Sequence, residues 1–322
     1  MELAIITAQQ VGVLFLLILA GFICVKSGAV KADSKKAFSD LLIYFVVPAM
    51  IINSYITEYN SEQLTNLISA FKLSAILLIL GLVITMVLGL KLKNKNAPII
   101  KFSCIFSNAA YMGFPLIQAV FGNDGLLYAS AFLTIYNILM WTVGYAMISR
   151  KADFKAVVKT IVTTPVIISV IIGILIFILR IPVPNVIHQA FSTAGSMNTP
   201  LSMFITGMMI AGSTFERIFK NKLLIFTIAV RMFLIPALCL GLFALLGVKG
   251  IVADIVLLLE ACPCAAITSA FAVHFGYDED TLACSVVITK VLSIITLPIF
   301  SYLIPSVIYN YLLYTQMSFF YE

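Results

Sequence analysis

Ten apolar runs, each near the length of a bilayer crossing, take up most of this 322-residue chain. A membrane-spanning helix needs about 20 consecutive apolar residues. The runs fall at roughly 5–25, 37–56, 66–90, 97–119, 125–148, 164–180, 188–212, 222–246, 251–274 and 280–304. Composition agrees: 62% of residues are hydrophobic and 11% charged, with a mean hydropathy of +1.10, against about 45–50% apolar and about 25% charged in a soluble domain. Too few polar residues remain to cover a water-facing surface, which sets aside soluble enzymes, nucleic-acid binders and disordered scaffolds. The expectation is an all-α membrane protein of ten transmembrane helices forming one integral domain over residues 1–322. Its short loops leave no room for a nucleotide-binding domain, so any pumping would draw on a gradient. The six cysteines show none of the paired spacing of a disulfide scaffold.

Lysine and arginine set the expected orientation. Lys26, Lys31, Lys35 and Lys36 follow the first span, and Lys91, Lys93 and Lys95 the third. Arg150, Lys151, Lys155 and Lys159 follow the fifth, and Arg217, Lys220 and Lys222 the seventh. The alternate loops carry little beyond Arg180 and Lys249, and one holds Glu58 and Glu62. Basic loops stay cytoplasmic, so the chain reads as a multi-pass protein of the cytoplasmic membrane with both termini outside. Asp278, Glu279 and Asp280 make the last inner loop depart from this pattern. The first span has only Glu2 before it and reads as a retained helix rather than a signal peptide. The aromatic-rich stretch from Tyr309 to Glu322 suits the membrane interface.

The chain also repeats. Phe121-Gly122-Asn123-Asp124 recurs as Phe275-Gly276-Tyr277-Asp278, an offset of about 154 residues. At nearly that offset Pro48 matches Pro200, Pro115 matches Pro263, and Ser130 and Thr134 match Ser285 and Thr289. The units, roughly 1–150 and 160–305, hold five spans each. An odd number turns the second copy upside down, so the expected plan is two inverted five-helix repeats, as in many secondary transporters.

Two spans are expected to be broken. Span four carries Ser107, Asn108 and Gly113 ahead of Pro115, and span nine sets Pro263 among Glu260, Cys262, Cys264 and Thr268. Proline frees carbonyls that hydrocarbon cannot satisfy, which is tolerated where the break lines a cavity. Half-helix N-termini there can face an anion, so Pro115, Pro263 and Thr268 are substrate-site candidates. Glu260 and Lys290 are the charges deepest in the membrane, and each calls for a partner or a task. If they meet, they form either a fixed ion pair or one that exchanges its partner for an ion, a proton or an anion. Lys72, Lys101 and Arg231 read as span-end residues whose long stems snorkel, and His188 and His274 as solitary span-end residues.

The stretch Ser107-Asn108-Ala109-Ala110-Tyr111-Met112-Gly113-Phe114-Pro115-Leu116 resembles the span-four motif of the auxin efflux carrier family, which includes plant auxin exporters and bacterial malate and malonate permeases. Val46-Val47-Pro48-Ala49, Asn198-Thr199-Pro200-Leu201 and Thr296-Leu297-Pro298 are similar to its proline motifs, and Tyr136-Asn137 with Trp141 to its span-five pattern. The resemblance covers essentially the whole chain. It implies that spans four and nine cross at their breaks. It also implies that spans 1, 2, 6 and 7 form a scaffold, often dimeric, against which spans 3–5 and 8–10 move. An anion would bind at the crossover, with Asn108, Asn137 and Val47 as substrate contacts. The bile-acid/sodium symporters share the crossover plan, and Glu260, Ser107, Asn108, Ser130 and Thr134 are similar to their sodium-binding set. Lys290 departs from the auxin-carrier pattern and would bring an ammonium to that region, so coupling to H+, to Na+ or to neither stays open.

The function expected from these features is secondary active transport of a small organic anion, a carboxylate such as a dicarboxylate or an auxin-like acid, by elevator-type alternating access. The partners expected are that anion, the lipid bilayer and a second copy docked through the scaffold helices; no nucleic acid, organic cofactor or resident metal is expected. One alternative is transition-metal transport through Cys262-Pro263-Cys264, since thiolates select soft metals. Another is a sensor that keeps the fold without transport. No nucleophile–base pair is apparent, so an enzyme is not expected.

Overall fold

The structure is a computed structural model that describes residues 2–149, 159, 163–212 and 221–318. Arg150, Lys151, Lys155, Arg217 and Lys220, which helped set the orientation, lie outside the described residues, as do the side chains of Glu279, Asp280 and the tail from Tyr309.

The described residues are helical and contain no β-strand. In chain order the helices are α1 (Glu2–Lys26), α2 (Lys35–Leu41), α3 (Val47–Tyr55), α4 (Ser61–Leu88), α5 (Ala97–Ile105), α6 (Phe114–Leu139), α7 (Tyr145–Ser149) and α8 (Pro165–Ile178). They continue as α9 (Asn185–Ser196), α10 (Asn198–Ala211), α11 (Lys222–Ile228), α12 (Ile235–Leu245), α13 (Ile251–Glu260), α14 (Ile267–His274) and α15 (Glu279–Ser318). Six continuous stretches are long and apolar enough to cross a membrane: Gln9–Lys26, Ala32–Tyr55, Ser61–Lys91, Ala109–Ser149, Lys222–Leu245 and Thr281–Val307.

Ten apolar runs and six long helices differ for physical reasons. Pro165–Ile178 is apolar but short. The runs at 97–119 and 251–274 are interrupted, so neither gives one long helix. The stretch Ala109–Ser149 changes direction at Gly122, whose φ of +66° only glycine adopts without strain.

Proline shapes the long helices through widened turns. Segments with i→i+5 geometry at Leu42–Val46, Ala109–Gly113 and Ala229–Leu234 each end two residues before a proline, namely Pro48, Pro115 and Pro236. A proline ring collides with the carbonyl one turn back and leaves it without a donor. A widened turn moves that carbonyl aside, so the helix continues with a kink instead of ending. Pro115 was expected at the break of span four; the break instead lies earlier, where α5 ends at Ile105 and Phe106 is extended at φ −96°, ψ 117°. In span nine Pro263 lies within the break itself, between α13 and α14.

α1 packs along both α10 and α15, and α3 along α8 and α9. Gly21 and Gly207 let α1 and α10 touch backbone to backbone, since a Cβ on Gly207 would lie 2.0 Å from the carbonyl oxygen of Ile18. Gly173 likewise gives room to the ring of Tyr55. α4, α5, α6, α13, α14 and α15 pack around the two breaks, with α12 against α13 and α15. Large apolar side chains such as Leu16, Ile23, Ile171 and Leu175 face outward, as lipid requires.

Candidate functional site

The breaks between α5 and α6 and between α13 and α14 meet in the midst of the helices that pack around them. Ser107 and Cys264 form an isolated antiparallel bridge. Asn108 N donates to Pro263 O at 2.7 Å, and Ala265 N donates to Phe106 O at 3.0 Å. The two bonds exchange under a two-fold rotation that swaps 107 with 264. Each break thus answers part of the backbone hydrogen bonding that the other has lost.

The helix ends around this point segregate by polarity. α5 and α13 approach with their C-termini, where unpaired carbonyls carry partial negative charge. A single side chain answers them. Arg231, on the widened turn after α11, donates from Nη1 to Cys104 O at 3.2 Å and to Ile105 O at 3.0 Å, and from Nε to Cys262 O at 3.2 Å. Nη1 also pairs with Glu260 Oε1 at 3.0 Å, both side chains being 0% exposed. Arg231 is therefore a buried clasp on both breaks, not the snorkelling span-end residue expected from the sequence. Glu260 takes Arg231 as its partner, not Lys290. The missed signal is depth: Arg231 lies nine residues beyond the start of α11 at Lys222, about 14 Å at the rise of a helix.

On the other side of the crossing, the second half-helices begin with their N-termini. A cavity of about 280 Å³ opens there, with Ser107, Asn108, Ala110, Ala265, Ala266 and Ile267 in its wall. Val47 contributes from α3, Asn137 from α6, and Tyr111, Tyr136 and Trp141 supply aromatic surface. Phe106 at the break meets Tyr136 edge to face at 5.4 Å between centroids, which sets the wall of α6 against the break. None of the described residues in this wall is charged. Two of its polar side-chain atoms, Asn108 Nδ2 and Ser107 Oγ, are buried without a partner, whereas Asn137 Nδ2 donates to Leu133 O at 2.7 Å.

The expected site residues therefore separate. Val47, Ser107, Asn108 and Asn137 share the cavity wall. Pro263 is buried behind it as an acceptor for Asn108, and Pro115 is buried one helical turn further along. Thr268 is buried with its Oγ1 unpartnered. Ser130 Oγ donates to Leu127 O at 2.7 Å, so the contact with Tyr55 at 2.7 Å has the phenol as donor. Thr134 Oγ1 donates to Ser130 O at 2.8 Å. Lys290 sits across the crossing with Nζ 3.7 Å from Met209 Sδ. Cys262 Sγ, in the break, donates back to Leu258 O of α13, and no three metal-ligating side chains gather among the described residues.

A helical membrane protein with paired helix breaks and a cavity between them is the class these features define. The family described as Membrane transport protein matches residues 6–301, and the chain belongs to that family, the one the auxin-carrier motifs had pointed to. A similar curated protein is an uncharacterized transporter of Methanocaldococcus jannaschii, 20% identical over 304 residues that cover 91% of this chain and 97% of the relative. The chain is thus a multi-pass membrane transporter, and its working environment is the lipid bilayer.

Proposed function

We propose that this chain is a secondary transporter of a small organic anion, a carboxylate, moved across the cytoplasmic membrane by elevator-type alternating access. One observation carries the reading: the polarity of the crossing helix ends. Arg231 stands where two C-termini favour a cation, and the cavity stands where two N-termini, at Ala109 and Ile267, favour an anion. In this reading the buried amide of Asn108, which has no partner of its own, donates to the substrate carboxylate. Asn137 supplies a second polar contact, and Val47 with the aromatic wall takes the carbon skeleton.

Ten spans in two inverted repeats, with spans four and nine crossing, are the architecture that goes with this mechanism. Several matched details support it. Gly122 and Gly276, at equivalent places in the repeated motif, both have positive φ, +66° and +70°. Thr134 and Thr289 each donate to the carbonyl of the hydroxyl residue four positions earlier, both at 2.8 Å. The contact of span one with span seven has its counterpart in that of span six with span two. Spans 1, 2, 6 and 7 form the scaffold, and also the dimer contact, while spans 3–5 and 8–10 carry the substrate.

The cavity reaches Thr163, Thr164 and Pro165, which follow Lys159 at the end of the basic loop after span five. By the positive-inside rule this state faces the cytoplasm. Glu260 already holds a guanidinium, which argues against sodium at that carboxylate and favours proton coupling or uniport.

The test is uptake of radiolabelled malonate, malate and indole acids into proteoliposomes, with and without imposed Na+ and H+ gradients. Asn108→Ala at normal expression and unchanged melting temperature should lower the flux of the transported acid at least about tenfold, since a site built around a hydrogen bond loses that much or more without it. Unchanged flux would remove Asn108 from the site, and no flux of any carboxylate would remove the anion reading.

A further inference from the structure

The inverted-repeat reading assigns every span a counterpart: one to six, two to seven, three to eight, four to nine and five to ten. The cavity is walled by spans two, four, five, six and nine, through Val47, Asn108, Asn137, Val166 and Ala265. Exchange of counterparts carries that set to spans seven, nine, ten, one and four. A separate apolar cluster joins those five spans and lies apart from the main core. It contains Val11 of span one, Met112 of span four, Met203 of span seven, Cys262 of span nine, and Leu297 and Phe300 of span ten. The cluster is closed, with Met203 and Cys262 both fully buried. Its members are apolar, thiol or thioether side chains, and the polar contacts that reach it, from Lys290 and Ser293, are to the weak acceptors Met209 Sδ and Met112 Sδ.

Lys290 lies on the stripe that span ten presents to this cluster, four residues before Ile294 and seven before Leu297. Three residues on, Ser293 Oγ lies 3.4 Å from Met112 Sδ within the cluster. The ammonium is 2% exposed, contacts the thioether of Met209 on span seven, and has no ion-pair partner among the described residues. Holding a cation in that position is costly unless something compensates it.

We infer that this cluster is the closed counterpart of the cavity, and that on opening it exposes Lys290 as the cationic wall residue that holds the substrate carboxylate on the far side of the membrane. The inference rests on the anion-transport reading and extends it. The two faces of the site then differ in charge, since none of the described residues in the wall of the cavity above is charged. An anion is captured against Lys290 on one side and released from a neutral wall on the other, so the apparent affinities on the two sides are unequal.

The test uses the full chain in proteoliposomes, with a membrane-impermeant maleimide and malonate as probes. Leu297→Cys is expected to react from the face opposite to the one from which Met140→Cys reacts, more slowly, and above the level of the parent protein. Lys290→Met is expected to raise the half-saturation for malonate at least tenfold from the Leu297 face and less than twofold from the cavity face, with Lys290→Arg close to the parent. Labelling is read with and without malonate, so opening of the cluster is judged even when nothing is transported. Malonate flux with Leu297→Cys unreactive from the far face overturns the inference and leaves the transport reading standing. An equal change on both faces in Lys290→Met removes Lys290 from the far site. Absence of flux for malonate and every other carboxylate, with the far-face labelling intact, strikes the anion reading and spares the opening.

Discussion

Arg231 carries more of the site's integrity than any other side chain in it. Breaking two helices inside a membrane leaves carbonyls that lipid cannot satisfy. One guanidinium meets three of them and a carboxylate besides. The planar guanidinium sets Nε and Nη1 in fixed directions towards both breaks, which the single ammonium of a lysine cannot do. Removing one member of such a buried pair leaves the other uncompensated, a loss of about 3–5 kcal/mol. Arg231→Met should therefore lower the melting temperature sharply. Glu260→Gln keeps an acceptor for Nη1 and should cost less, and the double variant Arg231→Met/Glu260→Met should recover part of the loss. Melting curves of the four proteins decide this: additive losses in the double variant would mean the pair is not coupled.

At the scale of elements, the contact between α1 and α10 depends on close approach. A Cβ on Gly207 would stand 2.0 Å from Ile18 O and 2.7 Å from Phe22 N, and these are backbone atoms that cannot rotate away. Small residues that allow such contact are a standard basis of helix association in lipid. Gly207→Leu is expected to separate α1 from α10 and to cost at least about 1–3 kcal/mol, the range for overpacked sites. Gly12→Ala on the same α1 is the control, because nothing lies within 4 Å of the position its Cβ would take. Equal melting temperatures for the two variants would show that the α1–α10 contact is not tight.

At the scale of the molecule, the charge pattern and the cavity make one joint statement about sidedness. Lys93 lies on a basic loop and Glu58 on an acidic one, separated by α4. Lys93→Cys should react with an impermeant maleimide only from the cytoplasmic face, and Glu58→Cys only from outside. Reaction of both from one face would break the positive-inside assignment, and with it the statement that the cavity faces the cytoplasm.

Membrane insertion, the class of fold and the family were legible in the chain alone, because apolar run length and composition answer directly to the solvent in which a helix must lie. The identity of the two interrupted segments was legible as well, since proline and small polar residues inside an apolar run have few other uses. Val47, Ser107, Asn108 and Asn137, picked out largely by a family motif, do line one cavity. The partner of Glu260 was not legible. Arg231 and Lys290 are single cations in different apolar runs, 29 and 30 residues from Glu260, and no periodicity relates those runs to one another. Which cation reaches the carboxylate depends on how α11, α13 and α15 pack around the breaks. The exact place of the first break was decided in the same way. Pro115 only bends its helix because a widened turn accommodates it, whereas the chain parts at Phe106–Asn108, where Pro263 and Ala265 of the other break stand ready to take up the freed backbone groups. Hydrogen bonds between segments about 155 residues apart are a property of the assembled bundle, and only the tertiary structure could choose them.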